Sequence, residues 1–159
     1  MRILIIGWGN PLRGDDGVGW RAAQLLTGAG ALQGHEVTVR VSHQLMPELA
    51  EEISRSEFVV FIDASCDNSA GEVRLEPVKP DHAPSAAFSH QLSPPALLGM
   101  AERLYGSRPE ACFFSVGARS FEYGEKLSPE VESALPGLLE EIEKVCGRMA
   151  GAAGHSCRS

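Results

Sequence analysis

The sequence predicts a single α/β domain, with a mostly parallel, twisted sheet of about five strands and helices on both faces. Three observations lead there. Two short, uninterrupted apolar runs, Ile3-Leu4-Ile5-Ile6 and Phe58-Val59-Val60-Phe61-Ile62, have the length and composition of strands buried on both sides. Segments with apolar residues at helical spacing lie between the strand-like runs. The resulting order of strand, helix, strand, helix, strand, strand, helix, strand, helix is that of a sheet built by crossovers, which are right-handed by default.

The first strand is bounded by Gly7 and a turn, Gly7-Trp8-Gly9-Asn10-Pro11. A helix with Asp15 or Asp16 near its start carries Val18, Ala22, Leu25 and Leu26, and Gly28 and Gly30 end it. Val37, Val39 and Val41 alternate with polar residues as a half-buried strand. Pro47 opens a second helix bearing Leu49, Ala50 and Ile53, and the second apolar run ends on Asp63. Residues 71–78, with Val73 and Leu75, read as a strand, followed by a loop rich in Pro, Ala and Ser that delivers Ser89-His90. Pro94 and Pro95 suit the first turn of a helix, where N–H groups lack partners, and Leu97, Leu98, Ala101 and Leu104 continue it. Residues 111–116 form the last strand. The final helix starts at Ser128-Pro129-Glu130 and bears Val131, Leu135, Leu138, Leu139, Ile142 and Val145; Pro136 in its middle is expected to kink or split it. The domain spans 1–150, and the small, polar residues 151–159 read as a frayed, disordered tail.

Composition narrows the function classes. A chain of 159 residues has the length of one domain with a substantial core, and 43% hydrophobic with 22% charged residues is ordinary for a soluble protein. A net charge of -7 without a stripe of Lys or Arg speaks against a nucleic-acid partner. No stretch approaches the ~20 apolar residues of a membrane span, and the opening run is too short for a signal peptide. The four cysteines, Cys66, Cys112, Cys146 and Cys157, form no C-x-x-C pair, which excludes a zinc ribbon and a thioredoxin motif and suits reduced thiols in the cytoplasm. The sequence carries no signal of oligomeric state.

Ligands of open parallel sheets gather beyond the carboxyl ends of the strands. Two connections bring acids to that edge: the loop after the first strand, with Asp15 and Asp16, and the strand ending on Asp63. A carboxylate directly after five apolar residues is costly to bury unpaired, so Asp63 is either a functional acid or a turn residue with local hydrogen bonds. His90, between a loop and a helix start, is placed to join them, whereas His35, His43, His82 and His155 read as surface or hydrogen-bonded residues. Two carboxylates and one imidazole suit a divalent transition ion with positions left open. The glycine turn invites comparison with G-x-G-x-x-G, but its third glycine is Leu12, Pro11 removes an amide, and the following acids repel a pyrophosphate. No G-x-S-x-G is present to supply a serine nucleophile, and Cys66 reads as structural.

The run from Gly7 to Gly19, Gly-Trp-Gly-Asn-Pro-Leu-Arg-Gly-Asp-Asp-Gly-Val-Gly, resembles the signature G-x-G-N-x-L-x-x-D-[DE]-G-x-G of the hydrogenase maturation endopeptidases. Gln44-Leu45-Met46-Pro47-Glu48-Leu49, Val60-Phe61-Ile62-Asp63-Ala64, Ser89-His90-Gln91-Leu92-Ser93-Pro94 and Leu127-Ser128-Pro129-Glu130-Val131 continue the likeness over nearly the whole chain. The resemblance implies that Asp16, Asp63 and His90 contact the metal and carry catalysis. Asp16 is the shorter of the two acids the family uses at its position, and Gly117-Ala118-Arg119-Ser120 departs from the Gly-Ile element of many members. The implied activity is a metal-directed or metal-dependent cleavage. It would remove a C-terminal peptide from the large-subunit precursor of a nickel–iron hydrogenase, the precursor itself supplying the nickel. The alternatives are a non-catalytic metal-binding chaperone acting on the same precursor and, behind it, a small nucleotide-binding domain.

Overall fold

The computed structural model describes residues 1–27, 32, 34–82 and 92–156, with 153–156 described by backbone alone. The elements follow in the expected order: β1 (Arg2–Trp8), α1 (Val18–Thr27), β2 (Glu36–Ser42), α2 (Leu49–Ser54), β3 (Phe58–Ser65), β4 (Val73–Pro77), α3 (Pro94–Tyr105), β5 (Glu110–Gly117) and α4 (Pro129–Ser156). A short 3-10 turn, Gly14–Gly17, precedes α1. The strands form one sheet in the order β2-β1-β3-β5-β4, parallel except for β4, which runs antiparallel on the β5 edge.

Strand side chains alternate between faces, and each apolar run therefore feeds two cores. Ile3, Ile5, Val60, Ile62 and Phe114 meet α1 and α4 through Val18, Ala22, Leu138 and Ile142. Leu4, Ile6, Val59 and Phe61 meet α2 and α3 through Leu49, Ile53, Leu97 and Leu98. The uninterrupted apolar pattern of β1 and β3 thus has its cause: both strands lie inside the sheet and are covered on both faces. Edge strand β2 is only half-buried, as its alternation implied.

Close backbone approach fixes the start of α1. A Cβ on Gly19 would lie 2.4 Å from the carbonyl oxygen of Ile62 and 2.8 Å from that of Trp8. Only glycine lets the helix settle this near the carboxyl ends of β1 and β3.

Four expectations need adjustment. Leu25 is 45% exposed, because α1 buries the stripe Val18, Gly19, Ala22, Ala23 and Leu26, which Leu25 misses. Leu104 is 65% exposed beside the exposed Tyr105, since the last turn of α3 leaves the core that Leu97, Leu98 and Ala101 enter. Pro136 does not split the final helix; it sits on an exposed face of one continuous α4. There water can serve the carbonyl whose helical N–H partner the proline removes. Finally, α4 runs on through 151–156, part of the stretch read as a tail, where Ala152 and Ala153 favour helix. Residues 157–159, and with them Cys157, lie outside the described residues.

Because Pro136 is exposed and mid-helix, Pro136→Ala restores an N–H and removes a steric conflict at no packing cost. The variant is expected to gain about 1–3 kcal/mol of stability, read as a higher unfolding midpoint in thermal melts.

Candidate active site

Chain order reverses between β1 and β3: the chain leaves β1 for β2 on one side and returns to β3 on the other. Such a switch point opens a crevice beyond the strand ends. Asp63 reaches it by periodicity. Val59 and Phe61 point to the α2 and α3 face, and Asp63, two residues on, continues the same series. The strand itself runs two residues past the acid, to Ser65.

Asp16 enters from the 3-10 turn after β1, and its Oδ2 accepts the Asn10 N–H at 2.8 Å. Both acids line a cavity of about 160 Å³, whose walls include Trp8, His43, Gln44 and Leu92. Behind it Trp8 stacks on Phe113 with centroids 5.7 Å apart and meets Phe61 edge-on. Burial pushes the Asp63 carboxyl up to about 7; the Ala64 N–H opposes the shift and the Asp16 carboxylate adds to it. Oδ1 of Asp63 is buried with no hydrogen-bond partner among the described residues.

Asp15, adjacent in sequence, does different work. It is fully buried, and its carboxylate accepts the N–H groups of Ser128 at 2.7 Å, Arg119 at 2.8 Å and Ser120 at 3.1 Å. Burial alone would raise its pKa. The N–H donors of Ser128, Arg119 and Ser120, with the Ser128 hydroxyl, outweigh burial and hold the carboxyl below the usual carboxylate range. Asp15 therefore fastens residues 119–128 to the loop after β1. The backbone bonds Gly14 N to Gly124 O, Asp15 N to Ser120 O and Gly124 N to Leu12 O reinforce the join. Of the two acids that spacing could not separate, Asp15 is thus taken up by the backbone and Asp16 lines the cavity.

The same loop is unsuited to phosphate. The Gly9 N–H bonds Ser42 O, that of Asn10 bonds Asp16, that of Leu12 bonds the Asn10 side chain, and that of Arg13 bonds Asn10 O. The Gly14, Asp15 and Asp16 amides are committed as well. A phosphate cradle needs free, converging N–H groups, and here the loop has spent them on itself.

His90 lies outside the described residues. Among the described residues no three His, Cys, Asp or Glu side chains converge to hold a metal ion. Two adjacent carboxylates, one with an unpartnered buried oxygen, nonetheless fit a divalent cation as hard oxygen donors. His43, expected to be an ordinary surface or core histidine, lines the cavity. Its position one residue past β2, in a sheet where β2 flanks β1, was the signal available. Cys66 is exposed and free, and Cys112 and Cys146 are buried. A larger groove of about 570 Å³ lies towards the amino ends of β1 and β2. Its Arg40 and Arg55 pair with Glu52 and Glu51.

Fold and site together define a doubly wound α/β protein with an acidic cavity at its switch point. No family model and no curated protein matches the sequence. Solved structures do, and several of them are hydrogenase maturation proteases, as the motif run implied. The hydrogenase 2 maturation peptidase from Thaumarchaeota archaeon SCGC_AB-539-E09 is 26% identical with a TM-score of 0.70, covering 92% of this chain and 99% of its own. The hydrogenase maturating endopeptidase HybD from E. coli is 26% identical with a TM-score of 0.64, covering 89% and 90%. The [NiFe] hydrogenase maturation protease HybD from Thermococcus kodakarensis is 26% identical with a TM-score of 0.64, covering 92% and 99%. Among the described residues no helix is long and apolar enough to cross a membrane.

Asp15 and Asp63 should affect stability with opposite signs. The low pKa of Asp15 contributes stability above the usual carboxylate range, which is lost as pH falls through the folded value. Asp15→Ala leaves buried N–H groups without an acceptor and should cost about 3 kcal/mol or more at pH 7. Asp63 behaves the other way: its favourable contribution is present below pH 3.8 and is lost as pH rises through about 7. Asp63→Asn should therefore unfold several degrees higher than the parent at pH 8 in chelator, a gain of about 2 kcal/mol. The difference should shrink towards pH 4. Thermal melts across that range check both.

Proposed function

We propose that the chain is an endopeptidase that removes a C-terminal peptide from the nickel-loaded large-subunit precursor of a nickel–iron hydrogenase. Under this reading it recognises the precursor's metal through Asp16, Asp63 and His90. The observation that carries it is Asp63, which lines a cavity together with Asp16 and whose buried Oδ1 has no hydrogen-bond partner among the described residues. An acid so placed is costly unless something cationic completes it. The likeness to maturation proteases supplies the class of reaction, and the motif Ser89-His90-Gln91 supplies the third donor.

Hydrolysis adds a water to the scissile carbonyl carbon, breaks the C–N bond and leaves the proton on the departing amine. A divalent ion at the carboxylates would polarise the carbonyl or acidify the water. The residues contribute as follows. Asp16, positioned at Oδ2 by the Asn10 N–H, is the carboxylate placed to take the water's proton as general base. Asp63 must give up a proton to bind a cation near neutral pH. Trp8 and Leu92 give the cavity its apolar walls beside the two acids.

The test is incubation with nickel-loaded precursor, read by mass spectrometry as release of a short C-terminal peptide. Asp16→Ala, Asp63→Ala and His90→Ala should each slow release about 100-fold or more, and full activity in all three would overturn the reading. Binding of precursor by the parent protein with no change of mass over long incubation would point instead to a non-catalytic chaperone. Calorimetric titration with nickel should show proton release near pH 7 and weaker binding as pH falls below it, because the ion competes with the Asp63 proton.

A further inference from the structure

Three parallel strands end side by side at the edge that carries the two acids, and β2 is followed at once by His43. The side chain is exposed yet lines the cavity of Asp16 and Asp63. Its ring lies edge-on to Trp20, with centroids 5.4 Å apart and planes at 62°. The turn beneath it is tightly held. The Ser42 carbonyl accepts Trp20 Nε1 at 2.7 Å and the Gly9 N–H at 3.0 Å, and the Ser42 hydroxyl donates to the Gln44 carbonyl. These contacts fix the turn between β2 and the buried Leu45, and with it the place of the imidazole.

His43 does not converge with Asp16 and Asp63 into a three-donor metal cluster. We propose that His43 is a substrate-binding residue whose imidazole hydrogen-bonds the backbone of the precursor segment beside the scissile bond. Neutral imidazole offers one donor and one acceptor, the complement of the alternating C=O and N–H groups of an extended peptide. The proposal rests on the endopeptidase reading for the identity of that segment.

Two measurements on wild type, His43→Ala and His43→Gln separate the possibilities: the Kd for nickel-loaded precursor, and peptide-release kinetics. His43→Ala should weaken precursor binding and raise KM about three- to tenfold, the weight of one hydrogen bond exchanged against water. It should leave kcat within about twofold, and His43→Gln should recover part of the loss because its amide also donates and accepts. Affinity for nickel ion alone and the unfolding midpoint should stay at wild-type values. Unchanged precursor Kd, a lower nickel affinity, or a fall in kcat with KM unchanged would each overturn it. If wild type binds precursor without cutting, the endopeptidase reading fails while the Kd comparison still decides the role of His43. If His43→Ala binds and cuts like wild type, this inference fails alone. A wild type that neither binds nor cuts removes both.

Discussion

A single buried carboxylate organises the functional edge of this protein. Asp15 accepts N–H groups from Arg119, Ser120 and Ser128, more than a hundred residues along the chain, and so joins the loop after β1 to the segment between β5 and α4. Burying a charge is affordable only when its lone pairs are met, and here three backbone donors meet them. With the loop fastened on one side by Asp15 and drawn against β3 on the other by the contact at Gly19, the next residue, Asp16, has little freedom. Its position beside Asp63 is a consequence of those two constraints.

The pairing of Asp16 and Asp63 is unfavourable for the isolated fold. Desolvation and the neighbouring negative charge both disfavour ionised Asp63, and its Oδ1 gains nothing in return from the described residues. A carboxylate at the end of a Val59, Phe61 series would be replaced by an apolar residue if stability alone were at stake. Strain of this kind, located at the switch point of a doubly wound sheet, is the usual mark of a site whose missing favourable term arrives with a ligand. The cost is contained because the remainder of the sheet is covered by helices on both faces.

Most of the fold was legible because period and topology reinforce each other. The apolar runs of β1 and β3 could only be central strands, and Asp63 at the end of such a run was visible as a candidate acid. Asp15 and Asp16 could not be separated by sequence physics. They are the same residue type at adjacent positions and differ only in the distant backbone that one of them meets. That the exposed His43 lines this cavity was not legible for a related reason: it depends on β2 lying beside β1 and on a cavity that no local pattern encodes. Leu25 and Leu104 fit a helical repeat yet fall outside the buried stripe, because a repeat defines a face but not where the core ends. Pro136 was judged as a breaker, whereas its exposed position lets water serve the freed carbonyl and the helix run on through it, at a cost in stability.

On the proposed function, the modest size of the cavity and its two oxygen donors bear on how a loaded precursor is told from an unloaded one. Two carboxylates hold a divalent ion weakly, since affinity follows ligand number and geometry. An ion already held by another protein brings its own ligands and needs only to have vacant positions completed. The raised pKa of Asp63 sharpens the distinction. Near neutral pH the acid keeps its proton for much of the time, so an unloaded partner meets a site with little reason to ionise. A cation at the cavity displaces that proton and converts an unfavourable pair of acids into a satisfied one. The discrimination proposed here then arises from relief of a cost built into the fold, which a metal-bearing partner provides and an unloaded one does not.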